Sequence, residues 1–186
     1  MTTREAPVSI EQFEAFLARP ENRDRRFELI DGEIIEKPMP TDEHGFIVHV
    51  FSGEFYIYFR EHPIGRATIE ARVRPTGSLG EDRLPDIAVI LGDKPVQRRG
   101  AVDFIPDICI EVQSPDDSLR LMREKARFYV AHGAKYALVV LPEHRLIELY
   151  GSDETEAVFT GDMPLTFGDL LPGFAVPASR FFPATA

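Results

Sequence analysis

A chain of 186 residues with 44% hydrophobic content is long enough to bury a real core in one domain, taken here as 1–186. No apolar run approaches the roughly 20 residues of a membrane span, the opening Met1 to Pro7 lacks an apolar leader, and a lone cysteine, Cys109, excludes an internal disulfide; a soluble cytoplasmic protein is expected. The net charge of -10 excludes nucleic-acid binding by bulk charge alone, because DNA affinity comes largely from Lys and Arg neutralising phosphates.

Ser9-Ile-Glu-Gln12 fits a capping box and predicts a helix from about Ile10 to Ala18, striped by Phe13, Phe16 and Leu17 and stopped by Pro20. Phe27 to Ile35 predicts a hairpin turning at Asp31-Gly32, with Glu28 inside an otherwise apolar segment. After the Pro38-Met-Pro40 loop, a long helix is predicted from Thr41 or Asp42 to about Glu61. Its Phe46, Ile47, Val50, Phe51, Phe55, Tyr58 and Phe59 exceed what a surface helix needs, so it packs across a sheet or into a subunit interface. His44 and His49 lie near its start and read as structural, since no His-Glu-x-x-His or Cys-x-x-Cys pattern supports a zinc site.

Arg66 to Arg74 and Arg83 to Ile90 read as strands, with Pro85 placing Asp86 near a strand start or an edge. A further strand falls within Phe104 to Ser114, a helix from about Ser118 to His132, and strands at Lys135 to Leu141 and Arg145 to Tyr150. The tail is punctuated by Gly and Pro. The basic groups Arg72/Arg74, Arg98/Arg99 and Arg120/Arg123/Lys125/Arg127 read as solvated faces.

The stretch Phe104-Ile-Pro-Asp-Ile-Cys-Ile-Glu-Val-Gln-Ser114 organises the rest. Ile108, Ile110 and Val112 alternate onto one face, and Asp107, Cys109, Glu111 and Gln113 onto the other. One face belongs to a core; the acidic one needs a cation or a strong donor beside it. Asp86 and Glu111 lie about 25 residues apart, enough for a strand, a loop and a return strand. Two carboxylates on neighbouring strands can share a hard cation such as Mg²⁺, which keeps several waters and accepts phosphate oxygens. The pattern leaves Asp107, in a second Pro-Asp pair, as an alternative to Asp86; Cys109 reads as a small buried thiol.

Pro85-Asp86 followed by Glu111-Val-Gln113 resembles the PD-(D/E)XK nuclease signature. Within that superfamily the chain resembles the Uma-two family of restriction-endonuclease-like proteins, through Phe27-Glu-Leu-Ile-Asp-Gly-Glu33, Leu84-Pro-Asp-Ile-Ala-Val89 and Glu111-Val-Gln-Ser-Pro115, continuing through Glu124-Lys125, Tyr129, Gly133 and Tyr136. The resemblance implies an α/β (α+β) fold with a restriction-endonuclease-like core at about 42–141. Its mixed central sheet would be flanked by helices, with extra N-terminal and C-terminal hairpins.

The resemblance also implies Asp86 and Glu111 as ligands of Mg²⁺ or Mn²⁺, with the Val112 carbonyl as a third. Lys125 would supply the lysine, Glu28 would join the site, and nucleic acid, DNA before RNA, would be the substrate of a homodimer. Two positions depart from the pattern. Gln113 stands where the signature has lysine, where it can only orient a water or a phosphate. Leu121 stands where relatives carry Asp. These departures carry a second expectation: a nuclease-fold protein without turnover, acting as a binding or assembly module.

Overall fold

Apolar runs build one six-stranded sheet in a computed structural model that describes residues 6–184; the expectation about the opening segment rests largely on residues 1–5, which lie outside that range. The strands β3 (Gly65–Ile69), β4 (Ile87–Leu91), β5 (Ile108–Val112), β6 (Tyr136–Leu141), β7 (Leu146–Gly151) and β8 (Glu156–Thr160) lie side by side in that order. Every pair is antiparallel except β5 with β6. A parallel pair needs a crossover, supplied by α3 (Leu119–Ala131). Two short hairpins complete the predicted architecture: β1 (Phe27–Ile30) with β2 (Glu33–Glu36), and β9 (Pro164–Leu165) with β10 (Val176–Pro177). The first turns at Asp31 and Gly32, both at positive φ (50° and 76°), as a tight Asp-Gly hairpin requires.

The sheet is covered on both faces. On one, Ile108, Ile110 and Val112 meet Ile47, Phe51 and Phe55 of α2 (Asp42–Glu61) and Phe167, Phe174 and Phe181 of the C-terminal segment. Phe51 and Phe181 stack with ring centroids 3.8 Å apart. The Phe-rich helix therefore lies across the sheet.

On the other face, Cys109, Ala137 and Val139 meet Met122, Ala126 and Tyr129 of α3. This corrects the expectation that the face of β5 bearing Asp107, Cys109, Glu111 and Gln113 lies apart from a core. The parallel crossover carries α3 over that face, and charge is confined to Asp107 at one end and Glu111 at the other. A third cluster, Phe13 of α1 (Ile10–Leu17) with Phe27 and Leu29, holds the first hairpin.

Two strands are shorter than expected. Glu70 takes φ 50° and ends β3, after which Val73 bridges Arg83 and Val102. β4 starts at Ile87 inside the sheet, so Asp86 sits at a strand start and not at an edge. Among the described residues no helix is long and apolar enough to cross a membrane.

Candidate metal centre

The ladder between β4 and β5 pairs Ile87 with Ile110. One step further, the antiparallel register brings Asp86 and Glu111 opposite each other at the carboxyl end of β5. Like charges directly across a ladder repel, so something positive must stand between them. That group is the ammonium of Lys37, from the chain just past β2. Its Nζ donates to Asp86 Oδ1 at 2.9 Å, Glu111 Oε2 at 3.4 Å and the Leu84 carbonyl at 2.8 Å.

A second ammonium sits behind the first. Lys125 Nζ on α3 lies 2.8 Å from Glu111 Oε1 and 2.7 Å from Glu28 Oε1 on β1. Glu28 Oε1 also accepts the Leu84 N–H at 2.6 Å. The Leu84 peptide is thus gripped at both ends by the hairpin: Glu28 takes its N–H and Lys37 donates to its carbonyl. Tyr129 OH donates to Glu111 Oε1 at 2.8 Å. Asp86 Oδ2 accepts a hydrogen bond from the Val112 N–H at 2.8 Å and lies in hydrogen-bond contact, 3.1 Å, with His44 Nε2 in the first turn of α2. His44 Nδ1 is buried with no hydrogen-bond partner among the described residues.

Glu28, Asp86 and Glu111 are each less than 5% exposed, so their charge states follow from their neighbours. Burial pushes the Asp86 carboxyl up, but Lys37, His44 and the Val112 N–H outweigh it and hold its pKa well below the aspartate range. Burial likewise opposes the charge on Lys37, yet Glu111, Asp86 and Glu28 raise its pKa above the lysine range. Burial raises both glutamates, and Lys125 and Lys37 pull both back. Glu28 ends below its ordinary range. Glu111, which also feels the charges of Asp86 and Glu28, ends above it.

The donor set suits a hard cation. Among the described residues no three His, Cys, Asp or Glu side chains form a ready cage. The converging oxygens are two carboxylates and one backbone carbonyl, all directed at Lys37 Nζ. Mg²⁺ characteristically takes one or two protein carboxylates and fills its remaining positions with water. Three carboxylates and two ammoniums leave this cluster one negative charge, and a divalent ion in place of Lys37 would neutralise it.

Of the residues singled out from sequence, Asp86, Glu111, Lys125 and Glu28 meet here. Val112 contributes its N–H to Asp86, and the converging carbonyl is that of Leu84. Gln113 donates its amide to the Asp117 carbonyl at 3.3 Å and to neither carboxylate. Asp107 sits at the far end of β5, where it accepts from the Leu91 N–H at 2.8 Å and from Lys94. Leu121, on α3, is 54% exposed.

Three members, Lys37, His44 and Tyr129, were not among the candidates. Tyr129 enters the sequence reading as one matching position of the resemblance, and His44 as a structural histidine. Nothing local distinguishes Lys37 from a loop lysine. Of the basic groups, Arg72 and Arg74 hold Glu14 and the buried Asp82, Arg120 pairs with Glu124 and Arg123 with Glu148, while Arg98 and Arg99 are exposed.

Comparison with solved structures finds a neighbour described as a putative nuclease belonging to DUF820 from Anabaena variabilis ATCC 29413. It is 24% identical, with a TM-score of 0.79 over 95% of this chain and 98% of that one. A comparison with curated proteins finds no match. The family model Uma2, described as "putative restriction endonuclease", matches residues 11–179, spanning all the elements that build the carboxylate cluster. On that match the chain belongs to the Uma2 family of restriction-endonuclease-like proteins.

Proposed function

We propose that the chain is a divalent-metal-dependent endonuclease that hydrolyses phosphodiester bonds of nucleic acid, with DNA as the first substrate to test. The observation that carries this reading is the convergence of Asp86, Glu111 and the Leu84 carbonyl on one cation position beside Lys125. A bound Mg²⁺ or Mn²⁺ supplies a water of lowered pKa and offsets charge on the leaving oxygen.

The chain's own residues do the rest. Asp86 and Glu111 would hold the ion. The His44 N–H and Val112 N–H fix the Asp86 carboxylate in its ionised form. Glu28 anchors Lys125, whose ammonium is placed to stabilise negative charge developing on a phosphate.

A second reading, a nuclease fold without turnover, is favoured by Gln113, whose amide is committed to the Asp117 carbonyl. The separating experiment is incubation of supercoiled plasmid and single-stranded DNA with Mg²⁺ or Mn²⁺, comparing wild type with Asp86→Asn. Metal-dependent nicking by wild type, lost in the variant, is expected. Inert wild-type protein on both substrates would favour the second reading.

A homodimer belongs to the same proposal, because two sites can cut two strands. Tyr56 and Ile57 of α2 and Ile69 of the edge strand β3 are exposed apolar residues available to a second copy. Sedimentation showing only monomer at micromolar concentration would remove this part.

A further inference from the structure

We infer that Lys37 is an internal occupant of the cation position, so that its ammonium and a divalent ion compete for the same three oxygens. This rests on the metal-dependent reading above and goes beyond it by assigning a residue that must leave before the site can load.

Three observations carry it. First, every contact of Lys37 Nζ is to a group of the donor set: Asp86 Oδ1, Glu111 Oε2 and the Leu84 carbonyl. An ion bound there would meet the ammonium at close range, and two cations cannot share that space without strong repulsion. Second, the cluster's charge permits exchange but not addition. A divalent ion beside both ammoniums leaves net positive charge in a buried place, whereas an ion replacing Lys37 leaves the cluster neutral. Third, Lys37 is built to leave. Its backbone closes the end of the hairpin through its N–H to the Arg26 carbonyl, while Pro38 to Thr41, the connection to α2, are exposed and pack into none of the three cores, tied only by the Pro38 carbonyl to Arg26 and by the Thr41 cap. Swinging the side chain out displaces no core residue.

The same short segment ends at His44, the other side chain bonded to Asp86. One stretch of exposed chain therefore presents Asp86 with both a removable partner and a fixed one. Lys125 is the contrasting case. It projects from the middle of α3 onto Glu28 and Glu111, and no exposed loop carries it away.

The test is calorimetric titration of Mn²⁺ into wild type, Lys37→Gln and the charge-matched control Lys94→Gln, whose lysine pairs with Asp107 at the far end of β5. Lys37→Gln is expected to bind Mn²⁺ roughly tenfold more tightly than wild type, as when a binding-competent state rises from about a tenth of the population to all of it. The Lys94→Gln affinity should match wild type. In the wild-type chain, an amine-reactive reagent read by mass spectrometry should label Lys37 slowly without metal and faster with saturating Mn²⁺, with Lys125 unchanged; this arm stands even if Lys37→Gln folds poorly. Equal or weaker Mn²⁺ binding by folded Lys37→Gln, with binding by wild type that Asp86→Ala abolishes, would overturn the competition and leave the metal reading intact. No Mn²⁺ binding by either protein would overturn both.

Discussion

A Lys125→Met variant is expected to lose about 3–5 kcal/mol of folding stability, the usual cost of stranding buried charge by removing one partner. Methionine keeps most of the side-chain volume, so the loss reports charge and not a cavity. Two carboxylates are stranded at once, because the ammonium bridges Glu28 and Glu111 at 2.7 and 2.8 Å. The contrast is with exposed pairs such as Arg120–Glu124, whose side chains are 71% and 53% exposed and whose loss should cost only a few tenths of a kcal/mol.

The pH dependence has a definite sign. Burial raises both glutamates and Lys125 is the strongest influence lowering them, so in the variant their folded pKa values rise. A carboxyl raised above its unfolded value holds its proton more tightly when folded. Its stability contribution is full below the unfolded pKa and is lost as pH rises through the folded one. The destabilisation, measured by urea unfolding, should therefore be smaller at about pH 5 than at about pH 8, and Glu28→Gln added to Lys125→Met should recover part of it. A loss below about 1 kcal/mol at pH 8 would mean that the two glutamates are held by other groups.

The second large effect is expected at Asp82, outside the cluster. Asp82 is fully buried and accepts from Arg72 at 3.0 and 2.6 Å and from Arg74 at 2.6 Å. Its backbone exchanges two hydrogen bonds with Leu29 of β1, at 2.8 and 2.9 Å. Asp82→Ala should cost about 3 kcal/mol, toward the low end for breaking a buried ionic network, because both arginines keep Glu14 and partial access to water. The loss should be local as well as global. Amide exchange in Phe27–Glu36 should speed up more than in β6 or β7, since the Asp82 carboxylate orients Arg72 and Arg74, which also hold Glu14 of α1, the helix packed against the hairpin. The proposed cleavage should fall too, because Glu28, which anchors Lys125, rides on that hairpin. A variant whose hairpin amides stay as protected as the central strands would contradict this account.

The order of elements was legible because periodicity within a segment reports burial: α2, three strands, α3 and β6 follow in the predicted sequence. Strand ends were less legible. The alternation through Ala67, Ile69, Ala71 and Val73 continues past the point where Glu70 turns to positive φ, and periodicity carries no sign of a kink. At the cluster, Asp86, Glu111, Glu28 and Lys125 were approachable through short motifs. Lys37 was not, because its meaning comes from partners 49 and 74 positions away. His44 is similar, 42 positions from Asp86. Asp107 shares a Pro-Asp pair with Asp86 and stood as its alternative; register separates them, placing one opposite Glu111 and the other at the strand's far end.

The contact between Lys125 and Glu28 spans 97 positions. During synthesis the N-terminal carboxylate therefore waits, unpaired by its partner, until α3 has left the ribosome. A nascent chain that has emerged only as far as Glu111 carries all three carboxylates and Lys37, but lacks both Lys125 and the helix that buries them. Such an intermediate holds acidic side chains in water and has no assembled centre. The cell thus meets the completed site only once most of the chain has been translated and the crossover has closed over β5.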